Sequence, residues 1–107
     1  MFIKLYEYHI QQDKEQEYLR IQEKAADIYS RHIDSHSFHL KSKDDPSEWM
    51  EITRYRNEEE YNRSIELINQ SEEIQQLLNK FQSLLLSEKC EVREEDFTVV
   101  MERNTFK

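Results

Sequence analysis

The chain of 107 residues contains no glycine, and this absence limits its fold more than any motif does. Glycine supplies the positive-φ backbone of tight turns and lets a main chain come close to a phosphate. Without it, P-loops and dinucleotide-binding fingerprints are excluded, and so are calcium loops that turn on a glycine. Any left-handed position falls to Asn or Asp. What remains is ordinary helix and strand, joined by turns rich in Asp and Ser with a single proline, Pro46.

A chain of this length suits one domain, residues 1–107, which buries about two-thirds of the surface that its unfolded form exposes. Hydrophobic and charged residues each make up 36% of it. One Trp, six Tyr and five Phe in clear periodic patterns argue for a folded core rather than disorder. The formal net charge of -8 repels phosphates and anionic lipids, so neither nucleic acid nor a membrane surface is an expected partner. No apolar run approaches the roughly 20 residues that span a bilayer, and residues 1–8 lack the order of a secretory signal. A cytoplasmic protein is the expectation. The one cysteine, Cys90, excludes an internal disulfide, and its neighbours Glu88 and Glu91 disfavour a thiolate.

The stretch from Trp49 to Glu60 is the centre of the pattern. Met50 and Ile52 alternate with Trp49, Glu51, Thr53 and Tyr55, which makes a strand with one apolar face and one mixed polar and aromatic face. Asn57 followed by Glu60 then resembles a capping box that opens a helix carrying Tyr61, Ile65 and Ile68. Residues 2–10 form another strand, with Ile3 and Leu5 on one face and Phe2, Lys4, Tyr6 and Tyr8 on the other. Asp13 and Gln16 predict a cap for a helix whose stripe is Tyr18, Ile21, Ala25 and Ile28, ending near His32 or Ile33. Residues 37–43 alternate again, and Asp44-Asp45-Pro46-Ser47 turns that strand into a hairpin with the central one. The apolar phase slips at Asn69-Gln70-Ser71, where Ser71 can cap a new helix with Ile74, Leu77, Leu78, Phe81 and Leu84. The last strand is expected over Phe97 to Met101, buried on both faces.

The order strand, helix, strand, strand, helix, strand is the ferredoxin-like βαββαβ arrangement, an α+β fold with a four-stranded antiparallel sheet and helices on one face. The other face is expected to carry Phe2, Tyr6, Tyr8, Trp49 and Tyr55 and to be covered by a second copy in a homodimer.

The run Phe38-His39-Leu40 through Asp44-Asp45-Pro46, then Trp49 to Asn57, Tyr61 and Ser71-Glu72-Glu73-Ile74 resembles the dimeric α/β barrel superfamily, in particular the antibiotic biosynthesis monooxygenase family. The resemblance implies a homodimer whose sheets pack face to face, with a pocket between sheet and helices or inside the barrel. It also implies activities such as cofactor-free oxygenation of electron-rich aromatics, heme degradation, lactone isomerisation or dye-peroxidase chemistry. The heme-degrading branch uses a strand-one asparagine, a helix histidine and a tryptophan. Here Glu7 and Tyr8 stand near the first position and Leu77-Leu78 near the second, so the histidine is missing.

On the residues themselves, Lys4, Tyr6, His39, Lys41, Glu51, Thr53 and Tyr55, beside Trp49, form one polar and aromatic set on the sheet face expected to be free of helices. In a partly apolar cavity His39 could act as base, and Tyr6 or Tyr55 could donate to an oxyanion. These three are the candidate catalytic residues, and Lys4, Lys41, Trp49, Glu51 and Thr53 the candidate ligand-binding ones. The competing reading makes them cross-strand pairs that seal a dimer, such as Lys41 with Glu51. Among His32, His36 and His39, an i, i+4 pair could hold zinc only on a continuous helix, and Ile33-Asp34-Ser35 reads as the helix exit, so the pair splays apart and no metal and no cofactor is expected. A small apolar or aromatic ligand is the expected partner besides the second copy. The alternatives are a non-catalytic binding or structural dimer, and heme binding without breakdown through His39 or His9.

Overall fold

The computed structural model covers residues 1–107. Four strands, β1 (Phe2–His9), β2 (Ser35–Lys41), β3 (Glu48–Tyr55) and β4 (Arg93–Thr98), alternate with α1 (Glu15–Ser30), α2 (Glu58–Asn69) and α3 (Glu72–Ser83). The sheet is antiparallel throughout, in the order β2-β3-β1-β4. This is the expected ferredoxin-like βαββαβ arrangement, with the long helical segment split in two. No residue has positive φ, so no Asn or Asp is needed in the left-handed region. No helix is long and apolar enough to cross a membrane.

Register places the side chains in cross-strand rows. On the inner face His39 lies opposite Glu51 and Glu51 opposite Tyr6, with Ser37, Thr53 and Lys4 forming the next row and Ser35, Tyr55 and Phe2 the one beyond. The outer face alternates with it, in rows of Phe38, Ile52 and Leu5 and of Leu40, Met50 and Glu7. The helices pack on the inner face, so Phe2, Tyr8, Trp49 and Tyr55 are buried there with Tyr18, Ile21, Ile28, Ile68 and Leu77.

This reverses the expectation that the aromatic face is the uncovered one. Period-two alternation identifies which residues share a face, but not which face receives the helices. Tyr8 packs against Tyr18 of α1 and Phe81 of α3, and Trp49 against Tyr18, while Phe2 and Tyr55 pack on Tyr61 of α2; the Tyr8 hydroxyl finds its partners under the helices. The face left open is largely apolar, with Phe38 and Leu40 about half exposed.

The last strand also departs from expectation. It begins at Arg93, within the charged segment, and lies at the sheet edge. Val100 and Met101, expected inside it, are exposed. A strand of alternating charge carries no apolar signal, yet an edge tolerates it well. Its register follows charge pairing. The buried Lys4 ammonium bonds Asp96, its direct cross-strand neighbour, at 2.8 Å and also Glu94. Burial alone would lower the Lys4 pKa, but these two hydrogen-bonded carboxylates outweigh it and raise it.

Two of the three expected caps form. Asn57 Oδ1 accepts from the Glu60 N–H at 2.7 Å, and Ser71 Oγ from the Ile74 N–H at 3.3 Å. Asp13 instead sits in a 3-10 turn, Gln12–Lys14, and α1 starts without a side-chain cap. Asn57→Ala and Ser71→Ala should therefore each cost about 1 kcal/mol in urea unfolding, whereas Asp13→Ala should stay within about 0.5 kcal/mol of wild type. Equal losses at all three positions would contradict this division.

Candidate functional site

Between the inner face and the helices lies a cavity of about 400 Å³, within the range of small-molecule pockets. The sheet contributes Tyr6, Tyr8, His39, Glu51, Thr53 and Tyr55 to its wall, α1 contributes Ile21, Ala25 and Tyr29, and α3 contributes Ile74, Leu77 and Phe81. The space exists because α1 presents the small Ala25 and Ala26 to it, and because α3, starting afresh at Ser71, packs against α1.

A hydrogen-bonded chain runs along and behind this wall. The Tyr8 hydroxyl donates to Glu51 Oε2 at 3.1 Å and lies 2.6 Å from the Tyr18 hydroxyl. The Tyr18 hydroxyl lies 3.2 Å from His39 Nδ1. Tyr18 is fully buried and outside the cavity lining, so it joins two wall residues from behind. Phe81 meets the Tyr8 ring edge-on at 4.8 Å, and Trp49 packs on Tyr18 at 4.6 Å, which holds both phenols in place.

Burial sets the electrostatics. It pushes the Glu51 carboxyl up, against the opposing pull of the Tyr8 hydrogen bond. It pushes the His39 imidazole down. Tyr29 is pushed up to about 12, first by burial and then by Tyr61 and Glu51. Tyr6, Tyr8, Tyr18 and Tyr55 are raised too, chiefly by burial. At neutral pH the cavity thus offers neutral phenols, an uncharged imidazole and a carboxyl that resists ionisation.

Of the candidate residues from the sequence, Tyr6, His39, Glu51, Thr53 and Tyr55 meet on this wall. Lys4, Lys41 and Trp49 share their sheet face but lie outside the lining. Lys41 pairs with Glu15 of α1 at 2.8 Å, not with Glu51 as the cross-strand reading expected. Its outward position lets the ammonium keep water, while Glu51 turns inward to Tyr8. Tyr8 and Tyr18 belong to the constellation, although the sequence pattern marks them only as strand and core residues. A signal for them exists: a fully buried tyrosine needs a partner for its hydroxyl.

The histidines do not converge. His36 stands on the outer face, opposite Arg54, and His39 on the inner one. A different group could hold a metal, namely His9, Asp45 and Glu48 at the hairpin end. His9 Nε2 lies 3.8 Å from Asp45 Oδ2 and 3.6 Å from Glu48 Oε2, wider than the about 3.4 Å between two ligands of tetrahedral zinc. The other Asp45 oxygen accepts from Ser47 N–H and Oγ. These contacts fit a polar clasp on the turn.

No family model matches the sequence, and no curated protein matches it. Solved structures share its fold. SnoaB, a cofactor-independent oxygenase from Streptomyces nogalater solved as a mutant, aligns with a TM-score of 0.72 at 10% identity over 94% of each chain. An uncharacterized NIPSNAP domain protein from Burkholderia xenovorans aligns at 0.74 and 12% identity over 97% of this chain and all of its own. An antibiotic biosynthesis monooxygenase aligns at 0.70 and 9% identity over 94% of this chain and all of its own. The chain thus has the fold of the antibiotic biosynthesis monooxygenase type.

A carboxyl whose folded pKa lies above its ordinary 4.5 contributes stability in full below that value, and loses it as pH rises through the folded pKa. Glu51→Gln removes this loss. Its melting temperature should exceed that of wild type by a margin that opens above about pH 4.5 and persists at neutral pH. A margin independent of pH would mean that Glu51 ionises as freely in the folded chain as in the unfolded one.

Proposed function

We propose that the cavity binds a small, mostly apolar aromatic molecule bearing an ionisable hydroxyl, and that the chain oxygenates it without a cofactor. One observation carries this reading: an imidazole, a carboxyl and tyrosine hydroxyls stand together on the wall of a mostly apolar cavity of about 400 Å³. The oxygenases among its structural neighbours support it as analogy of fold.

The chemistry needs little from the protein. His39 removes a proton from the phenolic substrate, and Tyr6 and Tyr55 donate hydrogen bonds to the oxyanion. Glu51 and Thr53 complete the polar contacts. The electron-rich anion then reacts with dioxygen. A substrate methylene and one dioxygen become a carbonyl and one water. One oxygen atom enters the carbonyl, the other leaves in the water with both methylene hydrogens, and all four electrons come from the substrate. Excluding water protects the intermediate carbanion.

The reading includes a homodimer. Ile3, Leu5, Met50 and Ile52 with the half-exposed Phe38, Leu40 and Phe97 make an outer sheet face that a second copy would cover. It also places the protein in the cytoplasm, where the lone, exposed Cys90 stays reduced.

Light scattering behind a sizing column should give twice the 13.2 kDa chain mass for wild type, and the monomer for Ile52→Glu. Quinols and anthrones should drive oxygen uptake by wild type. His39→Ala should lower kcat by about a hundredfold or more, and Tyr6→Phe and Tyr55→Phe by less. No uptake with any such substrate would leave a binding dimer, and a Soret shift on adding hemin would replace the aromatic substrate with heme.

A further inference from the structure

We propose that Tyr18 and Tyr8 form a proton relay that passes the proton taken up by His39 to Glu51, and thereby couple the tautomer of His39 to the charge of Glu51. The use of the relay in oxygenation rests on the function proposed above, but its existence does not. It follows from three consecutive contacts, Glu51 to Tyr8, Tyr8 to Tyr18 and Tyr18 to His39 Nδ1, at 3.1, 2.6 and 3.2 Å.

Such a chain has two self-consistent directions. When Glu51 is ionised it must accept from Tyr8, so Tyr8 accepts from Tyr18 and Tyr18 accepts from His39 Nδ1–H. His39 Nε2 then carries a lone pair and is a base. When Glu51 is protonated the chain can run the other way. Glu51 donates to Tyr8, Tyr8 to Tyr18, and Tyr18 to His39 Nδ1, which leaves the hydrogen on Nε2. The imidazole is neutral in both states but is a base only in the first.

The relay balances proton by proton. A substrate hydroxyl gives its proton to Nε2, and the Nδ1 proton moves to the Tyr18 oxygen. The Tyr18 proton moves to Tyr8, and the Tyr8 proton to Glu51. The products are the substrate oxyanion, a neutral His39 and a neutral Glu51. One anion replaces another, and no imidazolium remains in the cavity. This matters because His39 and Glu51 are direct cross-strand neighbours. A lasting imidazolium and carboxylate would both be held in surroundings that disfavour charge.

The surroundings suit the transfer. The titratable groups facing the pair are Tyr6 and Tyr8 from β1, Tyr18 and Tyr29 from α1, and Tyr55 from β3, with Tyr61 of α2 behind Tyr6, Tyr29 and Tyr55, while α3 brings no charged group to the cavity. Lys4 and Glu94, which act on Tyr29 and Tyr6 from the edge of this set, are paired to each other. Burial keeps both relay phenols less acidic than an ordinary tyrosine, so they pass a proton in concert and are not left as tyrosinates. The same burial raises the Glu51 carboxyl and lowers the His39 imidazole, which favours moving the proton from the imidazole toward the carboxyl.

The test is nitrogen-15 NMR of the His39 ring across pH. In wild type, over the pH range in which the imidazole is neutral, the protonated and unprotonated nitrogen signals should exchange places as Glu51 ionises, from Nε2–H with Glu51 protonated to Nδ1–H with Glu51 ionised. Tyr18→Phe, Tyr8→Phe and Glu51→Gln, which keep side-chain shape, should abolish that exchange. A single tautomer throughout in wild type, or an exchange that survives in Tyr18→Phe, overturns the relay. As an independent readout, the infrared carbonyl band of protonated Glu51 should shift in Tyr8→Phe, and an unshifted band counts against the relay.

Oxygen uptake separates the two claims. Tyr18→Phe should lower kcat by roughly ten- to a hundredfold with KM little changed. The tautomer exchange without uptake from any substrate supports the relay and removes the oxygenase reading. Uptake unchanged in Tyr18→Phe, with no exchange, does the reverse.

Discussion

The obligation of buried tyrosine hydroxyls to find partners governs this structure. Tyr8 and Tyr18 are almost entirely removed from water, and a buried hydroxyl without a partner costs about 1–3 kcal/mol. Each gains its partner only from a different element: Tyr8 from β3 and α1, Tyr18 from β1 and β2. The chain therefore fixes α1 on the sheet and fixes the register of three strands at once. No buried side-chain polar atom is left without a partner. The Lys4 ammonium does the same for β4, whose Asp96 and Glu94 both meet it in the observed register.

This logic explains what can be read from the residues. Strand positions and the helix break at Ser71 are legible, because alternation and caps are local signals. The cap at Asn57 is legible for the same reason. Asp13 fails as a cap since the same residue types serve a 3-10 turn equally well. The inner and outer faces exchange between sequence and structure because both contain apolar residues, and aromatic content suggests an interface where it means a core. The strand at Arg93 escapes the sequence pattern because its pairing rests on Lys4, about ninety residues away. Of the cavity wall, His39, Tyr6, Glu51, Thr53 and Tyr55 are legible as one face of the sheet, and they meet on one wall. Tyr18 is not, since its stripe position says only that it is buried.

The lack of glycine has a structural counterpart in the absence of positive φ. Turns must be made by side chains instead. Ser42 Oγ accepts from the N–H groups of Asp44 and Asp45, and Asp45 Oδ1 accepts from Ser47. The Ser47 carbonyl then accepts from the Ile10 N–H at 2.7 Å, which ties the hairpin to the end of β1. The hairpin so fixed aligns His39 opposite Glu51. A stiff turn thus sets the spacing of the two groups that bracket the tyrosine pair.

The break between α2 and α3 completes the site. A straight helix over residues 58–83 would run about 39 Å at 1.5 Å per residue, longer than the 37 Å greatest extent of the molecule. Such a rod cannot lie on Tyr55 at one end and against α1 at the other. Bending at Gln70 and Ser71 lets α2 stay beside β3, where Tyr61 packs on Tyr55 and Phe2. It also turns α3 back so that Ile74, Leu77 and Phe81 roof the cavity. Two short helices replace one long one at the cost of two further ends, and Ser71 satisfies one of the amide groups so exposed. The cavity is thus a product of the bend: a continuous helix would either overrun the sheet or leave the tyrosine chain open to water.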